Sequence, residues 1–289
     1  MRQPLRQRTQ RGLPLRAVAP NAVTALALCF GLTGIRYAIS AASGVPGDWE
    51  IAVTMIMIAG VLDGLDGTVA RLVRGESRFG AELDSLSDAI SFGVSPALIV
   101  YLWSLKGIPR IGWLVALVFA VFCALRLARF NANIDVSEQP HKSAGFLTGI
   151  PAPAGAGLAM LPLYLSFVTA EPLLRSPWLV APWVAFVASL MVSSIATFSW
   201  SSLKLRHNIR FEAIVGIVLL GALLITNAWA TLSAICIVYL ALIPFSIRNY
   251  RRVRRLRGAG GIAAGSEPQQ LASQPDGPLS ESGPESGDR

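Results

Sequence analysis

The chain has 289 residues, of which 53% are hydrophobic and 15% charged, and its formal net charge is +8. A soluble domain of this size carries about 25% charged residues, so the composition excludes an ordinary soluble globular protein. The basic excess does not indicate nucleic acid, because the arginines and lysines flank apolar segments, where they meet anionic lipid headgroups. The composition therefore predicts a polytopic membrane protein without a nucleic-acid partner.

Apolar segments recur along the chain at a length that suits membrane spans. A helix needs about 20 mostly apolar residues to cross a bilayer core of ~30 Å. We therefore predict an all-α protein with about eight transmembrane helices, the last two separated at the polar pair Thr226-Asn227. The predicted spans cover residues 20–42, 51–73, 82–105, 110–130, 153–170, 178–198, 211–226 and 228–247.

The distribution of arginine and lysine predicts the orientation of these spans. If the N-terminus is cytoplasmic, most of the 25 basic residues fall in inner segments, as the positive-inside rule requires. We predict a bacterial-type inner (plasma) membrane protein with both termini in the cytoplasm. Its parts are a basic cytoplasmic segment (1–19), a transmembrane domain (20–250) and a basic, then disordered, cytoplasmic tail (251–289).

Four aspartates interrupt the second and third predicted spans. Asp63 and Asp66 are three residues apart on one helix, and Asp84 and Asp88 are four apart on the next. Each pair therefore projects from one helix face. The link between the spans, about residues 74–81, is short, so the two helices are predicted to be antiparallel neighbours with the acids near the inner surface. Carboxylates placed there need compensating cations or protons.

Three explanations of the acids stay open on the residues alone. The first is a network of ion pairs with Arg71, Arg74 and Arg78, and the second is a proton or cation pathway. The third is a divalent-metal site, because hard oxygen ligands suit Mg²⁺ or Mn²⁺. Small residues leave room beside the acids for a bulky polar ligand such as a nucleotide diphosphate, and they are Gly64, Gly67, Ala70, Gly80 and Ala81.

The segment DGLDGTVARLVRGESRFGAELDSLSD, residues 63–88, resembles the signature of the CDP-alcohol phosphatidyltransferase family. That signature is D-x2-D-G-x2-A-R-x8-G-x3-D-x3-D, and every fixed position is filled. The resemblance implies six core helices around a cytoplasm-facing cavity, a homodimer, and two divalent ions, Mg²⁺ or Mn²⁺. It implies that Asp63, Asp66 and Asp84 hold the metals. Asp88 is predicted to be the general base and, because it lies so close to the cations, a metal ligand as well.

The other fixed positions of the signature are predicted to contact the nucleotide of a CDP-activated lipid. Gly67, Ala70 and Gly80 allow a close approach to the helices, since they carry little or no side chain. Arg71 can pair with a phosphate or orient a ligand aspartate.

Three further stretches bear on the acceptor. ELDSLSDAISFGVSPA (82–97), CALRLARFN (123–131) and FLTGIPAPAGAG (146–157) resemble the serine-using subgroup of the family. This resemblance implies phosphatidyl transfer from CDP-diacylglycerol to L-serine, with release of CMP. Because a guanidinium binds a carboxylate in a bidentate pair, we predict that the acceptor is bound by Arg126, Arg129 and Ser91.

Two alternatives to this function stay open. One is the same chemistry with another alcohol, such as choline or glycerol 3-phosphate. The other, from a different class, is an ion-coupled membrane transporter. The acids cluster at one membrane face instead of forming a relay across the bilayer, and the sequence shows no inverted repeat, both of which disfavour a transporter.

Overall fold

Long apolar helices make up nearly all of the chain for which the structure is described. A computed structural model describes residues 15–73, 77–132, 146–193, 196–198 and 210–244. All of these residues belong to one unit, residues 1–247, and the predicted tail 251–289 lies outside the described residues.

The helices follow one another in chain order with short connections. They are α1 (Leu15–Ala42), α2 (Asp48–Val73), α3 (Arg78–Asp88), a π-helical segment (Ala89–Val94), α4 (Ser95–Trp103), α5 (Pro109–Ala132), α6 (Ala152–Ala159), α7 (Leu161–Thr169), α8 (Pro177–Val192), α9 (Arg210–Thr226) and α10 (Ala228–Pro244). Single 3₁₀ turns cover Leu105–Gly107 and Pro172–Arg175.

Four helical segments of the described chain are long and apolar enough to cross a membrane. They are Val18–Ala42, Asp48–Leu72, Arg78–Trp103 and Pro109–Ala132. A bend of 41° separates α6 from α7, which count as a fifth span if taken together, and α8 and α10 are shorter apolar helices. The predicted all-α membrane fold is confirmed. The number of eight spans stays a prediction.

The third predicted span is one helical segment whose hydrogen-bond register changes in the middle. The Ser95 N–H donates to the carbonyl of Ile90, five residues back, which is the π-helical pattern. Pro96 follows directly, and proline both lacks an N–H and clashes with the carbonyl four residues before it. The wider π register relieves that clash. The π segment begins immediately after Asp88, and π-helical turns are frequent at functional sites.

The predicted sixth span, 178–198, is wrong at its end. α8 stops at Val192, because the backbone of Ser193 is extended (φ −60°, ψ 151°). Residues Ala196–Phe198 then form a short strand, β2, that pairs antiparallel with β1 (Phe146–Thr148). Gly149, with φ +79°, turns the chain out of β1 towards α6. A β-branched residue such as Thr197 favours this extended backbone.

Close packing of small residues holds the first three spans together. A Cβ added to Gly34 of α1 would lie 3.0 Å from the Ile56 side chain and 3.1 Å from the Ala52 carbonyl of α2. Ala38, Ala52 and Val53 are fully buried along the same contact. Small residues let membrane helices approach closely, which replaces the hydrophobic driving force that is absent within lipid.

Many large apolar side chains face outward on the described helices. Leu72 is 78% exposed, Leu114 57% and Ile225 87%. Apolar surface of this extent is normal against lipid and abnormal against water, which agrees with an integral membrane protein.

Candidate active site

Three carboxylates converge at the facing ends of α2 and α3. Asp63 and Asp66 come from α2 and Asp84 from α3, and each offers one oxygen within 4.8 Å of the other two. Asp66 is buried, whereas Asp63 and Asp84 are half-buried. The i, i+3 spacing on α2 and the short connection to α3 bring them together, as the sequence predicts.

The first helix fixes the orientation of Asp66. The Thr24 hydroxyl donates to Asp66 Oδ2 at 2.7 Å, and Thr24 is only 4% exposed. The backbone carbonyl of Thr24 accepts a hydrogen bond from the Ser87 hydroxyl of α3 at 3.3 Å. Thr24 therefore joins α1 to both helices that carry the aspartates. Sequence reasoning missed this residue, because nothing local links it to a partner 42 positions away.

Asp88 occupies a different position from the three converging carboxylates. It lies against Asp63 and close enough to Asp84 and Arg126 to interact electrostatically with both. Its Oδ1 is buried and has no hydrogen-bond partner among the described residues. A buried carboxylate oxygen without a partner costs free energy. A cation or the hydrogen of a bound hydroxyl would satisfy it.

This donor set fits divalent metal ions. Several carboxylates share a poorly solvated place, and one buried oxygen lacks a partner among the described residues. Hard oxygen donors of this kind bind Mg²⁺ or Mn²⁺ rather than softer metals. The ion-pair explanation rests partly on Arg74, which lies outside the described residues. Arg71 is exposed, and its Nε donates to the carbonyl of Gly67 on its own helix at 3.1 Å.

A cavity of about 330 Å³ opens beside the aspartates, between α1, α2 and α3. It is lined by Pro20, Asn21, Thr24, Asp66, Gly67, Ala70, Arg71, Ser77, Gly80, Ala81 and Asp84. All four residues predicted to contact the nucleotide are therefore in one wall, together with two of the predicted metal ligands. The contact with a nucleotide itself stays a prediction. Pro20 and Asn21 were missed, because the sequence gives no signal that the start of α1 reaches this site.

Bare backbone forms two parts of the cavity wall. A Cβ added to Gly67 would have no described atom within 4 Å, so it would project into open space. A Cβ added to Gly80 would lie 2.7 Å from Asn21 Oδ1. The N–H of Gly80 donates to the Ser77 hydroxyl at 3.0 Å, which caps the start of α3. Glycine at position 80 thus lets α1 and the capped end of α3 meet.

The three residues predicted to bind the acceptor lie in different places. Arg126 of α5 is half-buried, interacts electrostatically with Asp88, and lies over the Phe130 ring at 5.6 Å from its centroid. Arg129 is exposed and donates to the carbonyl of Val192 at 3.4 Å. Ser91 is buried against Gly31 of α1, where an added Cβ would lie 2.9 Å from the Ser91 Cβ. The structure therefore brings only Arg126 to the predicted base.

Comparisons with known proteins agree with this site. The family model described as CDP-alcohol phosphatidyltransferase matches residues 17–192, and CDP-alcohol phosphatidyltransferase 2 matches residues 208–244. The first match contains all four aspartates, and the second contains α9 and α10.

Curated relatives match over most of the chain. The CDP-diacylglycerol–serine O-phosphatidyltransferase of Mycobacterium bovis is 37% identical over 244 residues, covering 84% of this chain and 82% of its own. The protein of the same name from Mycobacterium leprae is 35% identical over 246 residues, covering 85% and 79%. The one from Helicobacter pylori is 42% identical over 142 residues, covering 49% and 55%.

Proposed function

Because the chain belongs to the CDP-alcohol phosphatidyltransferase family, we propose that it transfers a phosphatidyl group from CDP-diacylglycerol to L-serine. The products are phosphatidylserine and CMP. The observation that carries the proposal is the convergence of Asp63, Asp66 and Asp84 beside a cavity whose wall holds the other signature residues. The relatives that match most of the chain support serine as the acceptor, since serine is in their names.

The three converging carboxylates would hold two divalent ions, Mg²⁺ or Mn²⁺, with Asp88 as a further ligand at the edge of the set. Such ions, when bound, neutralise the charge that develops on the transferred phosphoryl group and on the departing nucleotide. The protein's own part is to fix the carboxylates. Thr24 does so for Asp66 through its 2.7 Å hydrogen bond.

The nucleotide would lie against the wall formed by Gly67, Ala70 and Gly80, where no large side chain intervenes. Arg71 borders the same cavity and offers its remaining guanidinium N–H groups to a phosphate. The diacylglycerol part would extend into the surrounding lipid.

Asp88 would accept the proton of the serine hydroxyl on its buried Oδ1. A bond then forms between the serine oxygen and the phosphorus, the bond from phosphorus to the CMP oxygen breaks, and the electron pair leaves with CMP. A base within hydrogen-bond reach of the reacting hydroxyl contributes typically about 10²–10⁴-fold to the rate. Arg126 is placed to hold the carboxylate of serine next to this base.

The site would face the cytoplasm, with both termini on the same side of a bacterial-type inner membrane, so that cytosolic serine reaches it directly. A homodimer, as in the resemblance, belongs to the same proposal.

The test is a panel of acceptors presented to the purified full-length protein with CDP-diacylglycerol and Mn²⁺ or Mg²⁺. We expect CMP release that requires serine and stops when the metal is chelated. Choline and glycerol 3-phosphate are expected to give no more than background release. CMP release with one of those alcohols and none with serine would replace the acceptor. Transport of an ion without CMP release would overturn the enzyme itself.

Asp88→Asn separates the role of base from that of metal ligand. The amide keeps the size of the side chain but cannot take the proton, so turnover is expected to fall by roughly 10²–10⁴-fold. Binding of CDP-diacylglycerol in Mn²⁺ is expected to persist. Asp84→Asn is the control, since it removes a converging ligand and should weaken both. Loss of both properties in Asp88→Asn would move Asp88 into the metal shell.

A further inference from the structure

A second cavity, of about 610 Å³, lies directly below the aspartates. Gly60 is one helical turn before Asp63, Phe92 is one turn after Asp88, and both line this cavity. Its other walls come from the start of α6 and from α10. The residues that line it are mostly apolar, so a polar group on its wall stands out.

Tyr239 of α10 is such a group. The residue is half-buried, but its hydroxyl oxygen is fully buried and has no hydrogen-bond partner among the described residues. Leaving a buried hydroxyl unpaired costs free energy that a structural role would have avoided. A ligand that arrives with its own acceptor atom would remove this cost.

The charged group near the Tyr239 hydroxyl is Arg126. The two side chains are close enough to interact electrostatically, and Arg126 also interacts with Asp88. Arg126 therefore lies between the predicted base and the phenol of α10. One anion at Arg126 would be within reach of both an arginine fork and a phenolic donor.

We propose that the Tyr239 hydroxyl donates a hydrogen bond to the carboxylate of the acceptor that Arg126 holds, so that α10 selects an amino-acid acceptor over a neutral alcohol. The inference rests on the proposed function. The hydroxyl of serine lies close to its carboxyl group, so a carboxylate fixed between Arg126 and Tyr239 directs that hydroxyl towards Asp88. A site built to hydrogen-bond a polar group discriminates strongly against analogues that lack the group.

The experiment compares Tyr239→Phe with wild type in the full-length protein. The substitution removes the hydroxyl and leaves the ring that packs against the core. We expect the KM for serine to rise roughly 10- to 100-fold, the usual cost of a hydrogen bond to a charged group. The KM for CDP-diacylglycerol and the melting temperature are expected to stay within error. Competition by serinol, which keeps the amine and hydroxyl of serine but has no carboxylate, should become relatively stronger.

The matched control is Tyr101→Phe. Tyr101 lies in α4 with its ring against Trp113, at the far end of the third span from Asp88. It should leave both KM values unchanged. An unchanged serine KM in Tyr239→Phe overturns the inference, and so does an equal rise in both KM values or a fall in melting temperature. If the wild type itself shows no serine-dependent CMP release, the proposed function fails and the inference fails with it.

Discussion

At the scale of single residues, Thr24 shows how much one hydroxyl can contribute to the site. It is the described hydrogen-bond donor to the buried carboxylate of Asp66, and it comes from a different helix. Groups that hold a metal ligand in place commonly affect metal affinity about 10- to 100-fold. Thr24 is therefore expected to act on metal binding although it is not itself a ligand.

Thr24→Val tests this role with a side chain of almost the same shape. We expect Mn²⁺ affinity to fall by roughly 10-fold or more, because Asp66 loses its donor. Mn²⁺ titration followed by electron paramagnetic resonance measures the affinity directly. Thr33→Val is the control, since the Thr33 hydroxyl bonds only to the Cys29 carbonyl of its own helix at 2.6 Å in the described structure. Equal effects of the two substitutions would contradict the role of Thr24.

The cavity wall gives a second test at this scale, with two glycines of the same helix. Gly67→Ala places a methyl group inside the cavity, whereas Gly64→Ala places one outside its lining; neither added Cβ has a described atom within 4 Å. We expect Gly67→Ala to weaken binding of a CDP-lipid by about 10-fold or more, as steric crowding typically does. Gly64→Ala should bind normally and gain the same helix propensity. Competition with labelled CDP-diacylglycerol measures the difference, and normal binding in Gly67→Ala would move the nucleotide elsewhere.

At the scale of elements, the contact between α1 and the π segment sets where Asp88 begins its turn. An added Cβ at Gly31 would lie 3.0 Å from the Ser91 Cα, and backbone cannot move aside as a flexible side chain can. Gly31 is therefore needed because the two backbones approach so closely. Ser91, predicted to bind the acceptor, instead occupies this contact.

Gly31→Ala is expected to destabilise the protein by about 1–3 kcal/mol, the usual cost of overpacking. Adding Ser91→Gly removes the clashing atoms, so the double variant should recover more stability than the single effects predict. Thermal unfolding in detergent measures each step of this cycle. Additive effects would show that the close approach of α1 to the π segment is not the cause.

Local spacing explains which parts of the site the sequence could predict. Asp63, Asp66, Asp84 and Asp88 follow helical periodicity on two adjacent spans, so their faces and proximity could be inferred without coordinates. Thr24 and Tyr239 could not, because their contacts join helices far apart in the chain, and hydropathy does not determine which faces meet. The π register could have been suspected from Ser95-Pro96, but its position next to Asp88 depends on how many residues the wider turn includes.

At the scale of the whole molecule, the length of α2 separates two connections. Its 26 residues, at about 1.5 Å each, span roughly 39 Å, enough to put its ends at opposite membrane faces. Val45 lies just before α2, and Arg78 begins α3 just after it. These two positions therefore report on the proposed orientation independently of the chemistry.

In a background without Cys29, Cys123 and Cys236, single cysteines at Val45 and Arg78 should react with an impermeant maleimide from opposite sides. We expect Val45→Cys to be labelled on intact cells and Arg78→Cys only after the membrane is opened, since basic residues stay inside. Both positions are exposed in the structure, so access within the protein is not limiting. The reversed pattern would put the aspartates on the outer side.

The cavity and the four aspartates come entirely from residues 20–88, whereas Arg126 and Tyr239 come later in the chain. A polypeptide that enters the membrane from its N-terminus would thus complete the donor half of its site during translation, before the acceptor half has been synthesised. We expect cysteines at Asn21 and Gly80 to crosslink in ribosome-arrested chains once α4 has emerged. Crosslinking only in the released full-length protein would show that the later helices are needed to bring α1 and α3 together during biogenesis.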